Sequence, residues 1–191
     1  NIPEWFIESC KKISYLFPRA HAVAYVMMAF RIAWFKVYHP LAFYAAYFSI
    51  RAKAFDLRIM TGDLNTQLRE FNRIKALDRG ASPKEKDLMS ALEVSMEMYQ
   101  RGYRFINVDI QHSDARRFSI KDGALLPPFL AIDSLGETVA DAIVEERESK
   151  PFTSLKDLQR RCKVSATIIE TMKELKCCGD LPEDEQMSLF G

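Results

Sequence analysis

A chain of 191 residues is long enough for one well-cored domain or two small ones. Its net charge of +1 conceals a gradient, with residues 1–60 at +5, residues 61–121 at +2 and residues 122–191 at −6, so only the first part has the balance of a polyanion-facing surface. Four cysteines without C-x-x-C spacing and three scattered histidines exclude a zinc ribbon or finger and fit reduced cytoplasmic thiols.

Residues 3–16 read as a short helix, with Ile7, Cys10 and Ile13 on one side and Lys11 and Lys12 on another. Phe17-Pro18 stops it. From Phe17 to Tyr38 runs F-P-R-A-H-A-V-A-Y-V-M-M-A-F-R-I-A-W-F-K-V-Y, alanine-rich and free of Gly and Pro after Pro18, which predicts a helix about 30 Å long. At 100° per residue His21, Tyr25, Met28, Ile32 and Phe35 share one face, while Val26, Phe30 and Ala33 cover the opposite one. A helix apolar nearly all round is expected to be a core helix. The uninterrupted apolar run, Ala22–Phe30, is too short to span a bilayer, and Arg31 and Lys36 follow it, so no membrane contact is expected. Arg19, His21 and Tyr25 are the polar or amphipathic groups at the start of this otherwise greasy rod. Taken alone they read as a solvated charge, a core histidine and a core aromatic with a bonded hydroxyl.

The segment F-P-R-A-H-A-V-A-Y, followed by R-I-A-W-F-K-V-Y-H-P-L-A-F-Y-A-A-Y-F, resembles the fingers region of the C-family bacterial DNA polymerase III alpha subunits, the PolC type above all. In that family a Lys-Ala/Ser-His-Ala-x-Ala-Tyr signature faces the incoming deoxynucleoside triphosphate (dNTP). The resemblance therefore implies dNTP-binding roles for Arg19, His21 and Tyr25. Arg19 stands where the family has lysine, offering a planar fork in place of a point charge.

Pro40 suits the first turn of a third helix, Leu41–Arg51, whose Phe43, Tyr44, Tyr47 and Phe48 read as core. Residues 63–77 place Leu64, Leu68, Phe71, Ile74 and Leu77 at near-helical spacing, and Gly80 ends that helix. Ser82-Pro83-Lys84-Glu85 is a capping box with proline at the first helical position, predicting a helix from Pro83 to about Gln100, stopped by Gly102. The period then changes. Tyr103–Ile110 alternates as a strand does, and Arg116–Ile120 and Ala124–Leu126 flank the turn signal Lys-Asp-Gly, so about three strands are expected to close the first domain at Pro127-Pro128.

Ile132-Asp-Ser-Leu-Gly136-Glu-Thr-Val-Ala, continuing as a helix to Arg147, resembles the helix-hairpin-helix element, h-x-G-h-G and a helix. Glycines in such a hairpin let backbone N–H groups approach a DNA phosphate at the positive end of the second helix. Ser134, Leu135, Gly136, Glu137, Thr138 and Arg147 are thus the DNA-binding candidates, for backbone contact and not base readout. Ser134 replaces the first glycine, and Arg147, Lys150, Arg160, Arg161 and Lys163 offer a basic stripe in an otherwise acidic region. Pro151–Leu158 continues the motif, with Thr153 or Ser154 as helix cap, and Val164–Cys177 resembles a degenerate second copy ended by Gly179. A helical bundle used only for protein contacts is the other reading of this region.

Asp180–Glu185 is acidic, contains a proline and reads as a flexible tether. Gln186, Met187, Ser188, Leu189 and Phe190 resemble the sliding-clamp-binding pentapeptide, with Met187 replacing Leu. The expectation is a mainly α fold with a small sheet in three parts: a fingers-like region over 1–127, a helix-hairpin-helix domain over 128–179 and a tail over 180–191. The start at Asn, the lack of a signal peptide and the resemblance together suggest the C-terminal fragment of a replicative, DNA-directed DNA polymerase. Its partners would be primer–template DNA, dNTP and the bacterial clamp. The Mg2+ that the resemblance implies would be held by palm carboxylates outside the fragment, leaving it no catalytic residue of its own. A non-enzymatic DNA-binding adaptor that recruits the clamp, or a fragment of a DnaE-type alpha subunit, is the alternative.

Overall fold

The structure is a computed structural model that describes residues 2–13 and 19–184. It divides into two compact units, residues 1–40 and residues 41–191. The first unit holds helix α1 (Glu4–Lys11) and helix α2 (Arg19–Tyr38). Contrary to the core-helix expectation, α2 buries none of its residues; Phe30 is 73% exposed and Trp34 49%. The cause is in its pattern: apolar side chains occupy the whole circumference, so covering it needs neighbours on every side, and among the described residues this unit supplies only the short α1. By length and mean hydropathy α2 is also the one described helix that could cross a bilayer. Arg31 near its middle and Lys36 beyond oppose that, since a cation at bilayer depth costs a few kcal/mol.

All but the first residue of α3 (Pro40–Ile50) belongs to the second unit; the helix begins on its proline as expected and buries Tyr44 and Phe48. A short helix that the sequence pattern did not announce, α4 (Leu57–Met60), is capped by Asp56, whose carboxylate accepts from Ile59 N at 3.0 Å. Asp63 caps α5 (Leu64–Leu77) in the same way, accepting from Thr66 N at 2.8 Å. The predicted capping box starts α6 (Pro83–Gln100): Ser82 Oγ accepts from Glu85 N, and the Glu85 carboxylate accepts from Ser82 N at 2.9 Å. Helices α5 and α6 pack on each other, but around a different residue set from the one expected. Leu68 and Leu77 are exposed, while Gln67 is buried. The Gln67 amide donates to Met60 O at 3.0 Å and accepts from Ser95 Oγ at 2.6 Å, so its burial leaves no polar group unpaired.

Strands β1 (Ser119–Lys121) and β2 (Ala124–Leu126) form the predicted hairpin. Asp122 and Gly123 both take positive φ, +51° and +74°, the two-residue turn that matches strand twist, which moves Lys121 out of the turn and into β1. The expected third strand reduces to one bridge, Phe105 to Leu125, fastened by Ile106 N to Leu125 O and Leu125 N to Arg104 O, each 2.9 Å. Beyond Ile106 the backbone finds other partners: Asn107 donates to Leu175 O, and Ile110 N donates to Cys177 O at 2.9 Å. The segment leaves the sheet to brace the end of the last helix.

After a 3₁₀ turn at Phe129–Ala131 come α7 (Glu137–Ser149), α8 (Leu155–Cys162) and α9 (Ala166–Glu174). Among the described residues the apolar core forms two clusters. One gathers Tyr44, Phe48, Met60, Leu92, Met98 and Phe105, with Phe48, Phe55, Phe105 and Phe118 stacked edge-to-face or tilted at 4.9–6.2 Å. The other joins Ile132 and Leu135, ahead of α7, and Ile143, Leu158 and Met172 of the last three helices to Val108 and Ile110. Core residues from both sides of Pro127-Pro128 therefore share one cluster.

The tail departs from its expected tether character. Over residues 180–184 it is docked, because the N–H groups of Leu155 and Lys156 donate to Pro182 O and Glu183 O at 2.9 and 3.2 Å, and Leu181 packs on the second cluster.

Candidate nucleic-acid interface

Helix spacing brings two of the three fingers candidates together. The rings of His21 and Tyr25, four residues apart, meet edge-to-face with centroids 4.5 Å apart and planes tilted by 66°. Arg19 stands in the first turn of the same helix, and all three side chains are exposed. The first two turns of α2 carry an aromatic ring and an imidazole on one face and a guanidinium on another, groups with the chemistry to meet a base and a phosphate.

The second set lies in the other unit. Ile132 and Leu135 are buried and anchor the hairpin, and Leu135 N donates to Ile132 O at 3.2 Å. With these two side chains inward, Ser134, Gly136, Glu137 and Thr138 lie at the surface. Ser134 adopts the left-handed conformation, φ +65°, that the motif's first glycine would take, so the turn keeps its shape at a conformational cost. Gly136 is the N-cap of α7 in extended conformation (φ −79°, ψ 157°), with no side-chain cap, and a Cβ there would meet nothing within 4 Å. Neither packing nor backbone strain requires a glycine at 136. What it leaves open is close approach from outside.

Arg116 ties the preceding loop to the first turn of α7, with Glu137 at 2.5 Å and Asp141 at 2.5 and 3.1 Å. Its hydrogen bonds hold the Asp141 carboxyl below its ordinary range. A carboxylate at Glu137 suits the positive end of α7, in the place where a phosphate would gain from the same dipole.

The basic stripe is thinner than its sequence suggests. Arg147 turns inward, one of its amines donating to Ile110 O at 3.0 Å and Ser113 O at 2.9 Å, and burial pulls its guanidinium below its ordinary pKa. Arg161 is also mostly covered: it lies over the Phe152 ring at 4.7 Å, pairs with Glu146 at 3.0 Å and Asp157 at 3.2 Å, and donates to Lys150 O at 2.9 Å. Both guanidiniums fasten helix ends and loops. Arg160, Lys150 and Lys163 remain exposed.

Sequence reading began the second motif copy at Val164 and missed its key residue. Lys163 takes φ +54°, Val164 is buried, and Ser165 caps α9 by accepting from Ile168 N at 3.3 Å. The order repeats Ser134-Leu135-Gly136: a left-handed residue, a buried apolar one, an N-cap, then a helix. That spacing, x-h-[cap]-helix twice over, was the available signal. Of the two caps proposed for α8, Ser154 is the one used, accepting from Asp157 N at 3.0 Å.

The candidate clamp residues, Gln186, Met187, Ser188, Leu189 and Phe190, lie outside the described residues. Among the described residues no group of three or more His, Cys, Asp or Glu side chains is placed to hold a metal, so the implied Mg2+ finds no ligand set in them.

Two comparisons with known proteins bear on these sites. The family described as "Helix-hairpin-helix motif" matches residues 102–187, which takes in both hairpins. Along its whole length the chain is 51% identical, over 190 residues, to part of "DNA polymerase III PolC-type" of Caldanaerobacter subterraneus subsp. tengcongensis, covering 14% of that protein. It is 48% identical over 192 residues to the protein of the same name from Streptococcus pyogenes serotype M12, covering 13% of it. The chain thus spans about one seventh of the length of these relatives, and from end to end it is similar to a single stretch of PolC-type DNA polymerase III carrying a helix-hairpin-helix motif.

Proposed function

We propose that this chain is the C-terminal part of a bacterial, cytoplasmic replicative DNA polymerase of the PolC type. In that DNA-directed nucleotidyltransferase it positions the incoming dNTP and the primer–template duplex and ties the enzyme to the sliding clamp. The observation that carries the reading is the full-length alignment, at about half identity, with one stretch of PolC-type DNA polymerase III. The exposed hairpin at 134–138, with its unobstructed Gly136, is the local feature that agrees with it.

The roles are positional. Arg19 pairs with the triphosphate as a planar donor, His21 hydrogen-bonds a phosphate oxygen or the sugar, and Tyr25, seated on His21, packs against the nascent base pair. The backbone N–H groups of the hairpin and of the first turn of α7 receive a duplex phosphate, irrespective of sequence. Gln186–Phe190 enters the clamp, Gln186 through its amide and Leu189 and Phe190 through an apolar pocket. Mg2+ supplies charge neutralisation at the transferring phosphate when bound elsewhere in the whole enzyme. This chain contributes no catalytic residue.

The two sites are separated in one experiment on the full-length polymerase. His21→Ala should raise the dNTP KM or lower kcat while primer–template affinity holds. Gly136→Ala should do the reverse, weakening duplex affinity roughly tenfold, about 1.4 kcal/mol, because the added methyl stands where the phosphate approaches. Unchanged kinetics and affinity in both variants would return His21 to an ordinary helix residue and the hairpin to a protein-packing role.

A further inference from the structure

We infer that Arg116 is the cation that meets a duplex phosphate at the 134–138 hairpin, the place for which the sequence pattern offered Arg147. The inference deepens the reading of that hairpin as a duplex-contacting element and rests on it.

At the start of α7, which has no side-chain cap, the N–H groups of Gly136, Glu137 and Thr138 have no partner among the described residues. Such donors favour an anion. The side chains beside them do not: Glu137 and Asp141 stand in the first two turns of α7, and residues 122–191 carry a charge of −6. The half positive charge of a helix start cannot outweigh two carboxylates. Arg116 changes that balance. It comes from the stretch before Pro127-Pro128, and its guanidinium joins both acids, Nη1 donating to Glu137 at 2.5 Å and Nη2 and Nε to Asp141 at 2.5 and 3.1 Å.

A guanidinium has five N–H donors, and these contacts use three of them. One N–H on each Nη is left over, and the side chain is 47% exposed. A fork whose plane is already held by two carboxylates, with its remaining donors open, suits phosphate oxygens. Its backbone is held as well: Asp114 accepts from Arg116 N at 2.7 Å and from Arg117 N at 2.8 Å, and Leu130 N donates to Ala115 O at 3.1 Å. Exposed ion pairs contribute little to stability, so fold maintenance is a weak reason for the arrangement. Arg147, by contrast, is turned inward to two backbone carbonyls and lies over the Phe129 ring at 5.9 Å.

Primer–template binding by the full-length polymerase across a salt series tests this. Arg116→Gln should weaken duplex affinity about tenfold and flatten the slope of log affinity against log salt by about one, with the dNTP KM unchanged. Arg116→Lys should restore the slope but only part of the affinity, since a single ammonium replaces the fork. Asp141→Asn breaks the same tie between loop and helix yet keeps the cation, so its slope should match that of the unaltered enzyme. A slope unmoved in Arg116→Gln, or flattened as far in Asp141→Asn, overturns the inference and leaves Arg116 a strut of the fold. Gly136→Ala tells this failure from failure of the hairpin reading. If Gly136→Ala weakens duplex binding while the Arg116→Gln slope is unmoved, the inference alone falls; if neither variant changes affinity or slope, the hairpin reading falls with it.

Discussion

Ser134 holds φ at +65°, where its Cβ crowds the backbone carbonyl, although the hairpin around it is anchored on both sides by buried Ile132 and Leu135. Glycine would relieve that crowding and lose some of the gain to a freer unfolded chain. Ser134→Gly should therefore stabilise the protein by about 0.5–1 kcal/mol, seen as a higher urea midpoint with unchanged slope. A lower midpoint would mean that the serine hydroxyl has a structural role. That Ser134 departs from the glycine pattern was legible in the sequence. That the other hairpin glycine, Gly136, is the one with no conformational need was not, because only the backbone tells φ +65° from φ −79°. Arg147 shows a second limit. Its position one turn from the end of α7 suggested a phosphate contact, yet its partners, Ile110 O and Ser113 O, lie 37 and 34 residues upstream and no local pattern announces them.

Local chemistry sufficed where an element closes on itself. The capping box at Ser82 and the stop at Gly102 bound α6 correctly, and Asp122-Gly123 set the hairpin. It failed at α4, which is too short to show a period, and at Tyr103–Ile110, whose alternation is real but whose hydrogen bonds go to the end of α9. Helix α8 shows how much of an element can depend on one buried carboxylate. Asp157 is 5% exposed and accepts from Thr153 N, Arg160 and Arg161 at 3.3, 2.7 and 3.2 Å. Burial alone would raise its pKa, but the hydrogen bonds from the two arginines and the backbone outweigh that and hold it below the ordinary value. A depressed folded-state pKa gives stability that is present above the unfolded value, near 3.9, and is lost as pH falls through the folded one. Asp157→Asn should cost roughly 3 kcal/mol at pH 7 and flatten the decline in stability below about pH 4. Urea melts at pH 7, 4 and 3 measure both, and a parallel acid decline in variant and unaltered protein would clear Asp157 of the role.

At the scale of the molecule, both apolar clusters draw their buried residues from positions 44–178, and α2 contributes none. Residues 41–191 should then fold alone, with a cooperative melt by circular dichroism and less binding of the hydrophobic dye ANS than the whole chain. A broad, uncooperative melt would show that residues 1–40 are needed. Composition correctly marked α2 as a helix and wrongly as a buried one, because the neighbours that would have to cover a helix apolar on all sides are no part of its own pattern. The same division governs what light reports. The two tryptophans, Trp5 and Trp34, both lie in residues 1–40 and are 69% and 49% exposed, whereas Tyr44 is fully buried and Tyr99 mostly covered in the other unit. Tryptophan emission is thus nearly blind to the collapse of the core, and a denaturation curve recorded at that wavelength would describe the wrong part of the protein; tyrosine signals or the far-ultraviolet are the ones that see residues 41–191 unfold.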